Sequence, residues 1–120
     1  MSRDFKNIKA WKSADDLAVL IFNITKAFPK DELYVLTAQL KRAALSVPTN
    51  IAEGASRNYN KEYLQFLYIA KGSLKEVEYL LYFANKLEYL AENQYLEVEN
   101  LRIETAKILH GLITAVANET

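Results

Sequence analysis

Lysines and tyrosines return at helical intervals along one stretch of this 120-residue chain: Lys61, Tyr68, Lys71, Lys75, Tyr82 and Lys86. Spacings of three, four and seven residues put them, with Leu64, on one side of a helix. Ammonium groups in such a row neutralise phosphates, and the tyrosine rings offer faces to unpaired bases, worth about 1–3 kcal/mol per stacked base. Neither group reads base edges, so the chemistry on offer is weak binding of nucleic acid without sequence preference. Glu62 and Glu78 lie close by and dilute the positive field, and a lysine face is more commonly just a solvated one.

Other chemistries find little support. Glu53 and Glu76 are the carboxylates best placed to form a pair, but no nucleophile or general base of neutral pKa accompanies them, so no catalytic residue and no enzyme is expected. The single histidine, His110, follows Lys107 by three residues, whereas di-iron bundles need repeated Glu-x-x-His pairs. It reads as a surface or interface residue. With no cysteine there is no disulfide, thiolate metal site or cysteine nucleophile, and neither metal nor cofactor is expected.

The elements that position these residues follow from the apolar pattern. Hydrophobic residues make up 51% of the chain and charges balance at 15 Lys+Arg against 15 Asp+Glu, which suits one globular domain over residues 1–120. The balance hides a polarity: 12 Lys+Arg against 7 Asp+Glu up to Lys75, then 3 against 8 after it. No apolar run approaches the roughly 20 residues that span a bilayer, so no membrane association and a cytoplasmic location are expected. Breaks at 28–31, 57–60 and 91–93 separate four helices of about 10–28, 31–57, 60–90 and 93–118. Their stripes are Trp11, Ala14, Leu17, Ile21, Ile24 and Phe28; Leu33, Leu36, Leu40, Ala44, Val47, Ile51 and Gly54; Tyr63, Phe66, Ala70, Leu74, Val77, Leu81 and Ala84; and Val98, Leu101, Thr105, Ile108, Leu112 and Val116. Alternating three- and four-residue spacing with short connections predicts an all-α, antiparallel up-down-up-down four-helix bundle. Asp31 is the expected N-cap of the second helix. Pro48 inside it is expected to kink the helix rather than break it, a break requiring Ser46 to cap a fresh segment.

Two helices carry apolar residues that one core cannot bury. The seam Ala38, Leu45 and Ala52 on the second helix and the side Ile69, Leu80 and Phe83 on the third point to a homo-oligomer interface. A polar stripe, Gln39, Arg42, Ser46, Asn50, Glu53 and Arg57, flanks the core of the second helix. Ser73 and Glu76 are expected to face it as one hydrogen-bonded network that sets helix register, with Gly72 allowing close approach.

The run from Gln39 to Gly54, containing Asn50-Ile51-Ala52-Glu53-Gly54, together with Gly72-Ser73-Leu74-Lys75-Glu76, Trp11 and Phe28-Pro29, resembles the bacterial four-helix-bundle proteins encoded in intervening sequences of 23S ribosomal RNA genes. The likeness spans nearly the whole chain; Lys41 before Arg42 departs from the more usual pair of arginines. The resemblance implies an up-and-down bundle, ring-like homo-oligomers that are often pentameric, and no catalytic activity. Family members are similar to the accessory variability protein of diversity-generating retroelements, which binds nucleic acid and a reverse transcriptase. By analogy with that likeness the expected function is a nucleic-acid-binding oligomer, for RNA ahead of DNA; a structural or adaptor assembly holding a protein partner is the alternative.

Overall fold

The apolar stripes condense into four long helices, seen in a computed structural model that describes residues 3–119: α1 (Lys9–Ile24), α2 (Ala38–Ala55), α3 (Asn60–Lys86) and α4 (Glu92–Asn118). No strand occurs among the described residues. Packing runs in a ring, α1 on α2, α2 on α3, α3 on α4 and α4 back on α1, as an up-down-up-down bundle requires. The molecule measures 45 × 24 × 20 Å, its long axis matching the roughly 40 Å rise of a 27-residue helix.

The core follows the α1 and α3 stripes closely. Leu17, Ile21, Leu40, Val47, Ile51, Tyr63, Leu67, Leu81 and Val98 are among its most enclosed side chains. Trp11 and Phe66 lie only partly inside, Trp11 against the edge of Phe5 at 4.8 Å. On α4 the buried positions are Val98, Arg102, Thr105, Leu109, Ile113 and Val116, so the expected Leu101, Ile108 and Leu112 sit half-buried at the rim. A buried hydroxyl pair replaces a hydrophobic contact there: Thr105 Oγ1 donates to the Leu101 carbonyl, leaving Ser13 Oγ to donate to Thr105 at 2.6 Å.

The entry to α2 differs from expectation. Asp31 caps nothing; it lies within a 3-10 turn, Lys30–Glu32, that follows Pro29. A π-helical turn, Leu33–Thr37, comes next, and regular α geometry begins only at Ala38. A π turn takes in more residues than an α turn and so rotates the side chains that precede it. That is why Leu33, read as core, stands exposed beside Tyr34 and Val35 while Leu36 stays buried.

Beyond this point α2 runs unbroken through Pro48. Proline withholds the N–H that its helix would use. Around the gap, neighbouring carbonyls gain side-chain donors, Thr49 Oγ1 to Leu45 O at 2.7 Å and Asn50 Nδ2 to Ser46 O at 2.8 Å.

Helix α3 stops at Lys86 rather than near 90. Tyr89 N–H donates to Ala84 O and Glu88 N–H to Asn85 O, a Schellman termination that holds Glu88 at φ 63°. Helix α4 starts after Ala91, whose N–H donates to Gln94 Oε1 at 3.0 Å. The side chains of Asn60 and Asn93 cap neither helix, because each residue lies inside its first turn.

Candidate nucleic-acid interface

Helix α3 presents Lys61, Tyr68, Lys71, Lys75, Tyr82 and Lys86, all exposed. At about 100° per residue they occupy a sector of about 80°, and from Lys61 to Lys86 the row extends about 38 Å. Core residues Tyr63, Ala70, Leu74 and Leu81 centre about 120° around the helix from the row, so burial of that stripe leaves the lysines outside.

The six side chains are not equivalent. Lys75 Nζ lies 3.0 Å from Glu78 Oε1, which is also 3.5 Å from Arg102 Nη1; Arg102 Nε in turn donates to Glu99 at 2.7 Å. The hydrogen bond from Lys75, then the nearby Arg102 charge, draws the Glu78 carboxyl below its ordinary pKa despite some desolvation. Lys75 is therefore compensated in the free protein. Lys86 holds its ammonium 5.7 Å from the Tyr82 ring centroid. Lys61 and Lys71 enter no ion pair among the described residues, and Tyr68 keeps an open ring. Lys61, Lys71 and Tyr68 are thus the groups readiest for a ligand.

Residues outside the α3 row extend the surface onto α4. His110, exposed, borders a groove of about 150 Å³ with Lys71, Lys75 and Arg102. A neighbouring groove of about 320 Å³ brings Tyr79 and Tyr95 beside Tyr82; desolvation, then the Glu99 charge, raises the Tyr95 hydroxyl pKa. Sequence reasoning passed over Arg102, Glu99, Tyr79 and Tyr95. A charge three residues from a carboxylate on α4 was the available signal for Arg102; the Glu99 hydrogen bond raises its pKa against the opposing effect of burial, and that burial depended on the packing of α4 in the bundle.

The polar stripe divides in two. Gln39 Nε2 donates to Glu76 at 3.3 Å, while Ser46 shares a 2.8 Å hydrogen bond with Ser73 and accepts from Asn50 Nδ2 at 3.0 Å. The side chains of Arg42 and Glu53 form no hydrogen bond or ion pair among the described residues, and Arg57 stacks its guanidinium 4.7 Å from the Phe66 centroid. One connected network through Arg42, Glu53 and Arg57 is thereby corrected. Glu53 lies fourteen residues from Gln39, about 21 Å along the helix, so it and Glu76 stand far apart and make no carboxylate pair.

The close approach between α2 and α3 falls at Gly54, not Gly72. A Cβ at Gly54 would meet Phe66 Cβ at 2.8 Å and Tyr63 Cδ1 at 2.9 Å, whereas one at Gly72 would meet nothing within 4 Å. Gly72 lies on the outer side of α3.

Of the apolar faces, Leu45 is 51% exposed and Ile69 52%, with Phe83 also exposed and Ala38 and Ala52 half-buried. Leu80 is corrected: at 6% exposure it belongs to the protomer's own core, turned toward α2 beside Leu36. No group of three or more His, Cys, Asp or Glu able to hold a metal occurs among the described residues, nor a helix long and apolar enough to cross a membrane.

A family model described as 23S rRNA-intervening sequence protein matches residues 6–111. The chain is also similar to a solved structure, a protein of unknown function from the S23 ribosomal protein family of Bacteroides thetaiotaomicron. The two share 26% identity with a TM-score of 0.80, over 88% of this chain and 95% of that one. No curated protein matches the chain.

Proposed function

Since the chain belongs to the 23S rRNA-intervening sequence protein family, we propose that it is a non-enzymatic, self-associating bundle that holds RNA without sequence preference through the outer face of α3. One observation carries this reading: four lysines and two tyrosines stand exposed on a single unbroken helical face, three of the lysines, Lys61, Lys71 and Lys86, without a carboxylate partner among the described residues. Self-association, with a pentamer as the family resemblance implies, rests on Leu45, Ile69 and Phe83 outside the core, and it multiplies a weak patch by avidity. Anisotropy of a labelled, unstructured RNA against salt concentration tests it. Replacing Lys61 or Lys71 by Ala lowers the log–log salt slope by about 0.7 each, while Lys75→Ala changes it less because Glu78 already compensates that charge. Tyr68→Ala weakens binding at unchanged slope. Leu45→Glu, which places a charge in the subunit contact, dissociates the assembly in light scattering and weakens RNA binding more than any single lysine change. Absence of a complex with RNA or DNA at low salt rejects the reading.

A protein-binding adaptor is the second reading, favoured by Tyr34 at 88% exposure next to Leu33 and Val35. Loss of nucleic-acid binding in the wild type with an intact oligomer brings it forward.

A further inference from the structure

The far side of the molecule from the α3 row holds a second concentration of positive charge. Where α1 ends and the π turn begins, Asn23, Lys26, Phe28, Lys30, Thr37 and Lys41 border a cleft of about 430 Å³. A second cleft of about 400 Å³ continues from it toward Tyr34 and Arg42, and its lining includes Leu45, assigned above to the subunit contact. Phe22, Leu33, Thr37 and Lys41 line both. The Lys41 ammonium sits 4.7 Å from the Phe22 ring centroid, and both residues border both spaces. Each volume lies within the range of small-ligand sites.

Two features distinguish this place from an ordinary lysine-bearing surface. None of Lys26, Lys30 and Lys41 has an ion-pair partner among the described residues, and no carboxylate lines either cleft. Of the two acidic residues on the adjoining turn, Asp31 lines neither cleft and Glu32 accepts from the Tyr89 hydroxyl at 2.8 Å. Lys26 offsets the negative end of α1, which leaves Lys30 and Lys41 uncompensated.

The second feature is Thr37. It is 5% exposed, and its hydroxyl is buried with no hydrogen-bond partner. Thr25, Thr49 and Thr105 all direct their hydroxyls to a carbonyl three or four residues earlier. Thr37 closes the π turn, whose wider spacing takes the carbonyl of the preceding turn out of that alignment. A buried hydroxyl left unpaired is unfavourable, and Thr37 is one of the residues that line the lysine cleft.

We propose that the two clefts form one site for a small phosphorylated ligand carrying a ring, of the size and chemistry of a nucleoside diphosphate. Phosphate oxygens take the ammonium groups of Lys26, Lys30 and Lys41 and accept a hydrogen bond from Thr37 Oγ1. The ring replaces Lys41 against Phe22 and packs on Leu33 and Tyr34. None of the α3 lysines lines this site, so it stands or falls apart from RNA binding.

Titration of the purified protein with ADP, followed by backbone amide shifts in NMR, tests the site. Shifts centre on Phe22, Leu33 and Thr37, inorganic diphosphate binds at least tenfold more weakly than ADP, and adenosine alone produces none. The double variant Lys26→Gln/Lys30→Gln weakens ADP binding at least tenfold. Thr37→Val weakens it about fivefold while leaving the melting midpoint the same or higher, and Thr37→Ser restores it. Lys61→Gln/Lys71→Gln leaves ADP binding unchanged. Equal shifts from sulfate at matched ionic strength mean an adventitious ion only and overturn the proposal, as does affinity indifferent to the Lys26/Lys30 pair. A loss of ADP binding in the Lys61/Lys71 variant overturns it too, by moving the anion to α3.

Discussion

The two ends of α2 are built on opposite terms. At its C-terminal end the backbone touches α3 at Gly54, with no room for a side-chain atom. There Arg3 N–H donates to Ala55 O at 3.1 Å, the Arg3 guanidinium lies 4.4 Å from the Tyr63 centroid and bonds Asn60, and Asn60 reaches Glu119. At its N-terminal end a π turn exposes Leu33, Tyr34 and Val35, leaves the Thr37 hydroxyl unpaired and opens two clefts. Close packing needs regular α spacing, since interdigitated ridges depend on a constant residue angle. A wide turn forfeits that match, and what it releases, exposed apolar side chains beside open clefts, is the material of a binding surface. Within one helix, register is thus set at one end and recognition surface is left at the other.

The contrast breaks most readily at Gly54. Gly54→Ala forces Phe66 or Tyr63 to shift and lowers stability by about 1–3 kcal/mol, read as a fall in the urea midpoint. The same exchange at Gly72, which faces open space in the protomer, raises stability by about 0.5–1 kcal/mol, the ordinary gain of alanine over glycine in a helix. Equal effects at the two positions would show that the packing contrast is unreal.

Next in size is Asn50, between the two ends. Asn50→Ala removes two hydrogen bonds onto Ser46 and lowers stability by about 1 kcal/mol. Glu53→Ala, one turn on and unpartnered, stays within about 0.5 kcal/mol. A difference in chemical denaturation between the two variants separates the serine cluster from the bare charge that follows it in sequence.

Glu88→Gly acts away from α2 and calibrates the scale. Glycine adopts the left-handed conformation of the α3 terminus without a Cβ clash, so thermal stability rises by about 1 kcal/mol.

The smallest effect is the pH dependence from Glu78. Its folded-state pKa is depressed by Lys75 and Arg102, so its contribution is full above the unfolded carboxyl value of about 4.3 and is lost as pH falls through the lower folded value. The side chain is 39% exposed, so solvent screening holds the amount to a few tenths of a kcal/mol. Glu78→Gln flattens that part of the acid limb in urea midpoints taken across the acid range.

Four helices, their antiparallel order and most of the core were legible in the sequence, because apolar spacing and turn residues act locally and the bundle only stacks them. The outward lysine and tyrosine row of α3 was legible for the same reason: the buried stripe of a helix dictates which of its sides stay outside. The α4 register was less so, since Leu101, Leu109 and Leu112 are interchangeable by type and only the fit against α1 and α3 chose Leu109 for the interior. Gly54 and Gly72 look alike as letters, and which one admits a neighbouring helix was decided by the crossing of α2 and α3. Tertiary structure alone also placed Leu80 inside and Leu33 outside, through the π turn at the start of α2. It buried Arg102 between Glu78 and Glu99 and gathered Lys26, Lys30 and Lys41 around one cleft. Local sequence determines periodicity; partners distant in sequence meet only where packed helices bring them, and there the unpaired groups of this protein were decided.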